Sequence, residues 1–268
     1  MKSLIISPQA GFANRLRTIC SAKILGNLLC RKVYHYWVED EVKSLREHVN
    51  EMKAISMSYL FDTDIPLWDG KEIDMCFSEW VEGDGWFLDQ STAIRKLKTK
   101  SIQQFTTVDE VINCDAETIL IESSIELVIP GYENWEEAMI KTYQESFKLT
   151  PLWQSVYDTL PQFDWGISIR RGDFLLLFPE TEQPFGEIVN QINSLDGSKF
   201  ITGDDPQFIS EVRKATKSFI KIEDFIHDTD FTFVQFLLLA KCKQTMGTKK
   251  SAFIKQASLY GDNKYSEL

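Results

Sequence analysis

The sequence predicts an α/β protein made of two Rossmann-like domains that face each other across a cleft. Three observations lead to this fold class. Residues 3–38 contain, in order, a strand, a glycine-containing loop, a helix and a second strand, which together form a βαβ unit. The second half of the chain repeats the alternation of short apolar strands with helices. Each half also carries a loop suited to an anionic ligand, so we expect two domains, residues 1–150 and 151–268.

The composition is that of an ordinary globular protein and limits the classes of partner. Hydrophobic residues make up 43% of the 268 positions, and the net charge is −11. Nucleic-acid binding requires a basic surface, and no run of Lys or Arg is long enough to supply one. We therefore expect no nucleic-acid partner. An anionic ligand would have to be held by a local cluster of arginines.

The cysteine and histidine patterns indicate the cellular compartment of the protein and whether it binds a metal. The five cysteines are widely spaced, and neither they nor the three histidines show the spacing of a zinc or other metal motif. Free thiols are typical of a reducing compartment. The N-terminus turns polar too soon for a signal peptide, and no apolar run approaches the roughly 20 residues of a membrane span. These patterns predict a cytoplasmic protein with no transmembrane segment and no bound metal.

Hydrophobic periodicity predicts the elements of the first half. Residues 3–7 form a short apolar run typical of a parallel strand, and apolar residues recur at helical spacing from Asn14 to about Cys30. Further predicted elements are a strand at 33–38, a charged surface helix at 41–52, a strand at 118–123 and an acidic helix at 132–149. Residues 53–115 show no clear period. Their tryptophans, Trp68, Trp80 and Trp86, are interpreted either as packing residues or as loop aromatics that stack on sugars.

The second half begins after a linker at Thr150-Pro151. Its predicted strands cover residues 167–169, 199–202, 219–222 and 244–247. Its first predicted helix ends near residue 160, and the next three cover residues 185–195, 207–216 and 231–241. The last predicted helix begins within residues 248–253 and ends at about residue 259.

The first loop places Asn14, Arg15 and Arg17 at the N-terminus of the first helix. Anions are favoured there because the backbone N–H groups of the first turn have no partner within the helix. The alternative is structural: Asn14 caps the helix, and both arginines are solvated.

The middle of the chain carries two adjacent arginines, Arg170 and Arg171, directly after a predicted strand. Ligands of open α/β sheets bind at the carboxyl ends of strands, and a guanidinium offers a fixed fork of donors to phosphate. Gly172 permits a sharp turn, and Asp173 would orient an arginine or contact a substrate hydroxyl. The alternative is an arginine in a surface salt bridge.

Two further strand ends carry polar residues. At residues 247–251, backbone amides and the Ser251 hydroxyl would hold a phosphate, although the spacing is not that of a Walker A loop. The alternative is that Ser251 caps the last helix. Asp204 and Asp205 follow another strand, where Asp205 is expected to cap the helix that starts at Pro206. As a functional pair they would bind a hydroxyl or position an arginine.

The order of these motifs resembles the fucosyltransferase superfamily with the GT-B fold, which includes the α1,2-, α1,6- and protein O-fucosyltransferases. The resemblance is carried by the segments GFANRLRTICSA (residues 11–22), SIRRGDF (168–174), TGDDP (202–206) and FVQFLLLAKCKQTMGTKKSAF (233–253). It implies inverting, metal-independent transfer of a sugar, usually fucose from GDP-fucose, to a hydroxyl of a glycan or glycoconjugate. Residues 1–150 would be the acceptor-side domain, and residues 151–268 the nucleotide-sugar-binding domain.

The resemblance also implies roles for particular residues. Arg170 would bind the β-phosphate of the donor and stabilise the leaving group. The other expected donor contacts are Asn14, Arg15, Arg171, Asp204, Asp205, Gln235, Ser251, Ala252 and Phe253. The chemistry also needs a general base for the acceptor hydroxyl, and our candidates from the sequence itself are Asp173, Glu180 and Glu182.

Two positions depart from the pattern of the α1,6 enzymes and their relatives. Ser168 stands where they carry His, and Gln235 stands where they carry the Asp that reads the guanine edge. Asp228 or Asp230 would be a substitute reader. The departures leave two alternatives open: the same fold using another nucleotide sugar, and a non-catalytic nucleotide- or glycan-binding protein.

Overall fold

A computed structural model of the protein describes residues 1–37, 56–70, 72–79, 97–172, 174–217 and 231–268. The chain divides into two compact units, Met1–Trp153 and Gln154–Leu268. We refer to them as the first and the second unit. Each unit is built around a parallel β-sheet with helices, which confirms the predicted α/β class with two Rossmann-like units.

The first unit contains a five-stranded parallel sheet and two short strand pairs. Its strands are β1 (Ser3–Pro8), β2 (Lys32–His35), β3 (Phe61–Asp62), β4 (Glu72–Ile73), β5 (Met75–Ser78), β6 (Lys98–Thr99), β7 (Ile102–Gln104), β8 (Thr118–Ser123) and β9 (Lys148–Leu149). The sheet order is β2-β1-β8-β5-β7, while β3 pairs with β9 and β4 with β6. Its helices are α1 (Phe12–Leu28), α2 (Met57–Leu60), α3 (Val108–Ile112) and α4 (Trp135–Ser146). Helix α5 (Pro151–Thr159) spans the boundary between the units, which falls after Trp153.

Strands β1 and β8 form the centre of this sheet. Their apolar residues are fully buried, because a parallel strand covered on both faces is apolar along its whole length. The register pairs Leu4 with Val33 of β2 and with Ile119 of β8. The carboxyl ends of β1 and β8 therefore lie side by side, and the loop into α1 begins at the end of β1.

The second unit contains a four-stranded parallel sheet. Its strands are β10 (Trp165–Ile169), β11 (Lys199–Gly203), β12 (Gln244–Gly247) and β13 (Lys264–Glu267), in the order β11-β10-β12-β13. Its helices are α6 (Phe174–Leu177), α7 (Phe185–Asn193), α8 (Pro206–Ala215), α9 (Phe231–Lys241) and α10 (Ala252–Gly261), with a 3-10 turn at Pro179–Thr181. The chain leaves β10 towards β11 on one side and later returns to β12 on the other. The carboxyl end of β10 is thus the point at which the strand order reverses, where open α/β sheets bind ligands.

Helix α9 is apolar around most of its circumference because it is buried in the second unit. Val234, Leu237 and Leu238 are fully buried, and the ring of Phe236 lies 6.0 Å from the ring of Phe253 on α10. None of the described helices is both long and apolar enough to cross a membrane.

Several predicted elements have different bounds in the structure. Strand 33–38 is β2, Lys32–His35, and the helix predicted at 132–149 is α4 followed by the short strand β9. Helix α1 starts at Phe12, two residues before the predicted start. Strand β13 is absent from the predicted elements. The helix predicted at 41–52 and the strand predicted at 219–222 lie outside the described residues.

Candidate functional site

The predicted site residues lie in both units. Asn14 and Arg15 belong to the first unit. The second unit holds Arg170, Arg171, Glu180, Asp204, Asp205, Gln235, Ser251, Ala252 and Phe253. Asp173, Asp228 and Asp230 lie outside the described residues, as do Trp80 and Trp86. Trp68 packs edge-on against the ring of Tyr34 at 5.0 Å, as a core-packing residue does.

Residues 170–172, which we call the arginine turn, follow β10 at the point where the strand order reverses. Two backbone hydrogen bonds hold the turn from opposite sides. The Arg170 N–H donates to Thr248 Oγ1 at 2.9 Å, and the Arg171 N–H donates to Asp204 Oδ1 at 2.7 Å. Thr248 follows β12 and Asp204 follows β11, so both neighbouring strands fix the turn.

Asp204 also orients the side chain of Arg170. Its Oδ2 atom lies 3.1 Å from Arg170 Nε, so one carboxylate contacts the backbone of one arginine and the guanidinium of the other. The guanidinium carbon of Arg170 lies 5.7 Å from the centre of the Phe174 ring. This ion pair places the guanidinium beside Asp204, and a guanidinium offers the planar donor fork that phosphate recognition uses. The side chain is 32% exposed and therefore accessible to a ligand.

The guanidinium of Arg171 is bound to other parts of the second unit. Its Nη2 donates to Glu182 Oε1 at 2.9 Å, and its Nη1 donates to the Gln183 carbonyl at 3.5 Å. Its guanidinium carbon lies 4.3 Å from the centre of the Phe208 ring on α8. These contacts match the salt-bridge alternative for Arg171. They indicate that it supports the turn by tying it to residues 182–183 and to α8.

Two glycines allow the strands and α10 to approach closely at this edge. A Cβ atom at Gly203 would lie 2.2 Å from the Ile169 carbonyl oxygen, and one at Gly247 would lie 2.4 Å from Ile254 Cγ2. Both separations are far below van der Waals contact. The ends of β11 and β12 can therefore carry no side chain at these positions without a shift of β10 or α10.

The junction between β12 and α10 lies beside the arginine turn. The Thr248 N–H donates to the Ser168 carbonyl at 3.1 Å, and Lys250 adopts a left-handed conformation with φ of 64°. Ser251 occupies the N-cap position of α10 and is 4% exposed, but its side chain makes no capping hydrogen bond. The alternative that places Ser251 at the N-cap is correct in position, but its hydroxyl does not supply the capping hydrogen bond. The N-cap side chain of α10 therefore accepts no hydrogen bond from a first-turn amide, and that turn contains no acidic residue.

The two aspartates after β11 have different contacts. Asp205 is the N-cap of α8, and its side chain accepts a hydrogen bond from the Phe208 N–H at 2.9 Å, as the sequence predicts. Asp204 instead contacts both residues of the arginine pair. The sequence singles out both carboxylates, and the structure separates a structural cap from a positioning residue.

Both described carboxylates predicted as general bases are in ion pairs. Glu180 Oε1 lies 2.5 Å from Lys250 Nζ, and that hydrogen bond lowers the pKa of Glu180. Lys250 Nζ also lies 4.9 Å from the centre of the Phe178 ring. Glu182 pairs with Arg171. A carboxylate with a lowered pKa is a weaker base, so Glu180 can act as a base only after it leaves Lys250.

The remaining second-unit residues lie on α9 and α10. Gln235 is half-buried on α9, and Ala252 and Phe253 form the first turn of α10. The edge-on contact between Phe236 and Phe253 fixes the two helices against each other.

The first-unit residues lie at the start of α1. Gly11, not Asn14, is the N-cap, so the interpretation of Asn14 as a cap is wrong. Arg17 donates from Nε and Nη2 to the Ser124 carbonyl at 3.0 and 2.8 Å. Arg15 is buried, and burial lowers its pKa to about 10, so it remains charged at neutral pH. The same interpretation expected Arg15 and Arg17 to be solvated, and this is also wrong, because Arg15 is buried and Arg17 is bonded to the Ser124 carbonyl.

Sequence reasoning missed two residues of the second-unit site, Thr248 and Phe174. Thr248 receives the Arg170 N–H, and Phe174 lies under the Arg170 guanidinium. The parallel register between β10 and β12 pairs Ser168 with Gly247, which puts Thr248 one step beyond, next to the turn. Among the residues that the structure describes, no group of three or more His, Cys, Asp or Glu is arranged to hold a metal ion.

Comparison with known proteins gives structural matches only. No protein-family model matches the sequence, and no curated protein matches it. POFUT1 in complex with GDP-fucose matches with a TM-score of 0.59 at 12% identity, over 100% of this chain and 97% of that chain. NodZ α-1,6-fucosyltransferase soaked with GDP-fucose matches at 0.57 and 14% identity, over 97% and 93%. Fucosyltransferase NodZ from Bradyrhizobium matches at 0.56 and 16% identity, over 96% and 93%. The chain therefore shares the GT-B fold of these fucosyltransferases, as its motifs predict.

Proposed function

We propose, from this shared fold and the arginine turn, that the chain is an inverting glycosyltransferase that moves fucose from GDP-fucose to a hydroxyl of a glycan or glycoconjugate. One observation carries the proposal. Arg170, oriented by Asp204, stands where the strand order of the second unit reverses, and its backbone is bonded to the segment that leads into the uncapped N-terminus of α10. A guanidinium fork beside free helix amides suits a diphosphate. POFUT1 and NodZ, which share the fold, were solved with GDP-fucose.

The chemistry follows from where charge develops. The bond from the anomeric carbon to the diphosphate oxygen breaks, a bond to the acceptor oxygen forms, and the acceptor hydroxyl gives its proton to a base. Negative charge grows on the departing diphosphate, and Arg170 with the α10 amides would stabilise it. Ser251, Ala252 and Phe253 would line this pocket. The proposal assigns charge neutralisation to these groups and requires no metal.

The proton acceptor is proposed from the same segment. Asp173 directly follows the arginine turn in the sequence, and Glu180 is held by Lys250 in the structure. The Glu180–Lys250 pair is about half exposed on both sides, and ion pairs of this kind contribute little free energy. Glu180 can therefore exchange Lys250 for a substrate at small cost.

A second donor class is favoured by Gln235. A carboxylate accepts from both N–H groups of the guanine edge, whereas a glutamine oxygen replaces only part of that contact. The second candidate is therefore the same reaction with another nucleotide sugar. A donor panel of GDP, UDP and dTDP sugars distinguishes the two, since release of nucleotide from a UDP or dTDP sugar alone would exclude the GDP-fucose assignment.

The central test is Arg170→Ala. We expect turnover to fall by about 100- to 1,000-fold, as on removal of other donors to a developing oxyanion. The change is measured as sugar transfer or donor hydrolysis, with circular dichroism to establish that the variant is folded. The control is Lys249→Ala. Lys249 lies 3.6 Å from Glu267 on the surface, and its loss should change turnover little.

Two results would contradict the proposal. Full turnover in a folded Arg170→Ala protein would show that Arg170 does not stabilise the departing diphosphate. A GDP-induced rise in melting temperature without transfer from any donor would instead support the non-catalytic alternative.

A further inference from the structure

Lys250 lies at the N-terminus of α10, where a helix disfavours a cation. It directly precedes the N-cap residue Ser251, and its left-handed backbone conformation, with φ of 64°, is uncommon for a residue that carries a side chain. The positive end of the helix dipole lies at this terminus, and the first turn of α10 contains no acidic residue. Lys250 therefore adds positive charge at the end of the helix that the proposed function assigns to the diphosphate.

The counter-ion of Lys250 comes from residues 175–180, which we call the strap. Lys250 Nζ lies 2.5 Å from Glu180 Oε1 and 4.9 Å from the centre of the Phe178 ring. Both members of the ion pair are about half exposed. Because exposed pairs of this kind contribute little free energy, an anion of higher charge can displace Glu180 from the lysine.

The rest of the strap is weakly packed. Phe174 and Thr181, on either side of it, are buried, whereas none of its described side chains is buried and Leu176 is 74% exposed. Segments with few buried contacts open at a low cost in free energy. The pair with Lys250 therefore joins a weakly held segment to the N-terminus of α10.

A polar atom next to the strap is also unsatisfied. A small cavity between the strap and the arginine turn is lined by Leu175, Arg170 and Gln183, among others. Gln183 Nε2 donates to the Leu268 carbonyl at 2.6 Å, but its buried Oε1 has no hydrogen-bond partner in the described structure. Buried polar atoms are normally paired, so this cavity admits water or changes shape when the strap moves.

We propose that Lys250 is a ligand-operated latch, which holds the strap through Glu180 and releases it when a diphosphate binds at the N-terminus of α10. A diphosphate carries more negative charge than one carboxylate, so it competes for the lysine. The released Glu180 accepts the proton of the acceptor hydroxyl as the acceptor oxygen bonds to the sugar and the diphosphate departs. The latch rests on the proposed diphosphate site, and it makes this base available only when a donor is bound.

Hydrogen–deuterium exchange of the full chain, followed in peptides that cover residues 174–181, tests the latch. Inorganic pyrophosphate is the probe because every candidate donor contains a diphosphate, and calorimetry establishes saturation for each protein. The N–H groups of Phe178 and Thr181 are bonded to the carbonyls of Phe174 and Phe178. Their exchange in the wild type should accelerate by about two- to fivefold with pyrophosphate, the factor expected for the loss of an exposed ion pair.

Lys250→Asn removes the cation, and asparagine tolerates a left-handed backbone. Without ligand, its strap should already exchange at the faster rate, and pyrophosphate should add nothing. Glu180→Gln should behave in the same way because it removes the other partner, whereas Lys250→Arg keeps the charge and should respond like the wild type. Lys249→Asn is the matched control, since Lys249 pairs with Glu267 at 3.6 Å and should leave the response unchanged.

Pyrophosphate that binds the wild type but slows the exchange of the strap, or leaves it unchanged, overturns the proposal. An acceleration that persists in Lys250→Asn overturns it too, and so does a failure of pyrophosphate to bind, since Lys250 would then meet no competing anion. Failure of the proposed function is a separate result. Absence of sugar transfer from every donor would remove the glycosyltransferase assignment, while the exchange response of the wild type and its loss in Lys250→Asn would still establish the latch.

Discussion

Arg170 and Arg171 are adjacent in the sequence, but their guanidinium groups have different partners in the structure. Arg171 is bound to Glu182, Gln183 and the ring of Phe208, while Arg170 is oriented by Asp204 beside the α10 segment. The sequence predicts that both arginines follow a strand at the ligand-binding edge. It cannot assign their partners, because Glu182 follows a short helix and a 3-10 turn that no hydrophobic period predicts.

Arg15 and Arg17 illustrate the same limit in the first unit. Both are predicted correctly to lie near the start of α1. Their difference depends on the Ser124 carbonyl, which is 107 positions away in the sequence from Arg17. Such a pairing is set by the parallel alignment of β1 with β8 and not by any local pattern.

His35 should make the protein sensitive to acid. Its side chain is 6% exposed, its Nδ1 accepts the Trp37 N–H at 3.3 Å, and burial lowers its pKa to about 4. Because the folded pKa is below that of the unfolded chain, the unfolded state binds the proton first as the pH falls. Stability is therefore full above about pH 6.5 and is lost towards pH 4, by about 3 kcal/mol.

Urea denaturation of the wild type and of His35→Gln at pH 7, 5 and 4 measures this loss. Glutamine keeps an acceptor for the Trp37 N–H but does not titrate. The difference in unfolding free energy between pH 7 and pH 4 should be smaller in the variant by about 3 kcal/mol. Equal pH dependence in the two proteins would rule out His35 as the cause.

Among the strands and helices, the sequence predicts best those that have a long or strongly apolar hydrophobic pattern. Strand β12 and helix α9 have the predicted bounds, because a short apolar strand and a long apolar helix differ clearly in length. Strand β13 has exposed charged residues at both ends and two half-buried residues between them, and among the described strands it pairs with β12, so no apolar run reveals it. The strands of residues 72–104 are two to four residues long, too short for any periodic signal.

The contact between β12 and α10 gives a prediction at this scale. In Gly247→Ala, the new Cβ would lie 2.4 Å from Ile254 Cγ2, and Ile254 is fully buried, so the Ile254 side chain or α10 itself must shift. Overpacking of this kind costs about 1–3 kcal/mol. The displaced helix N-terminus should also weaken GDP binding.

Gly186→Ala is the matched control for this substitution. Gly186 lies in α7, and a Cβ atom added there would meet no described atom within 4 Å, so alanine should leave the protein as stable or slightly more stable. Thermal denaturation and GDP titration of both variants check the prediction. Equal melting temperatures would show that α10 tolerates the extra methyl group.

For the whole molecule, the main electrostatic fact is the net charge of −11. An anionic donor approaches a protein that repels it at long range and attracts it only near the few arginines. Salt screens the long-range repulsion, with a Debye length of about 10 Å at 0.1 M. The association rate of GDP should therefore rise between 20 and 200 mM salt, by about two- to fivefold.

Stopped-flow mixing with a fluorescent GDP analogue measures this rate. A rate that falls as salt rises would show that the site steers anions over long distances despite the overall charge. Dissociation should accelerate in the same salt range, because the contact proposed for Arg170 is itself ionic.

The bonds from Thr248 and Asp204 to the backbone of the arginine turn have one further consequence. Both bonds form within the protein itself, without a nucleotide. Ligand binding at the turn should therefore cost little conformational entropy, because this loop is already ordered. Substitutions intended to change which donor is used can therefore leave Thr248 and Asp204 unchanged. If Gln235 on α9 reads the base, as its position in the resemblance implies, substitutions there would change donor selectivity and leave the bonds that hold the arginine turn unchanged.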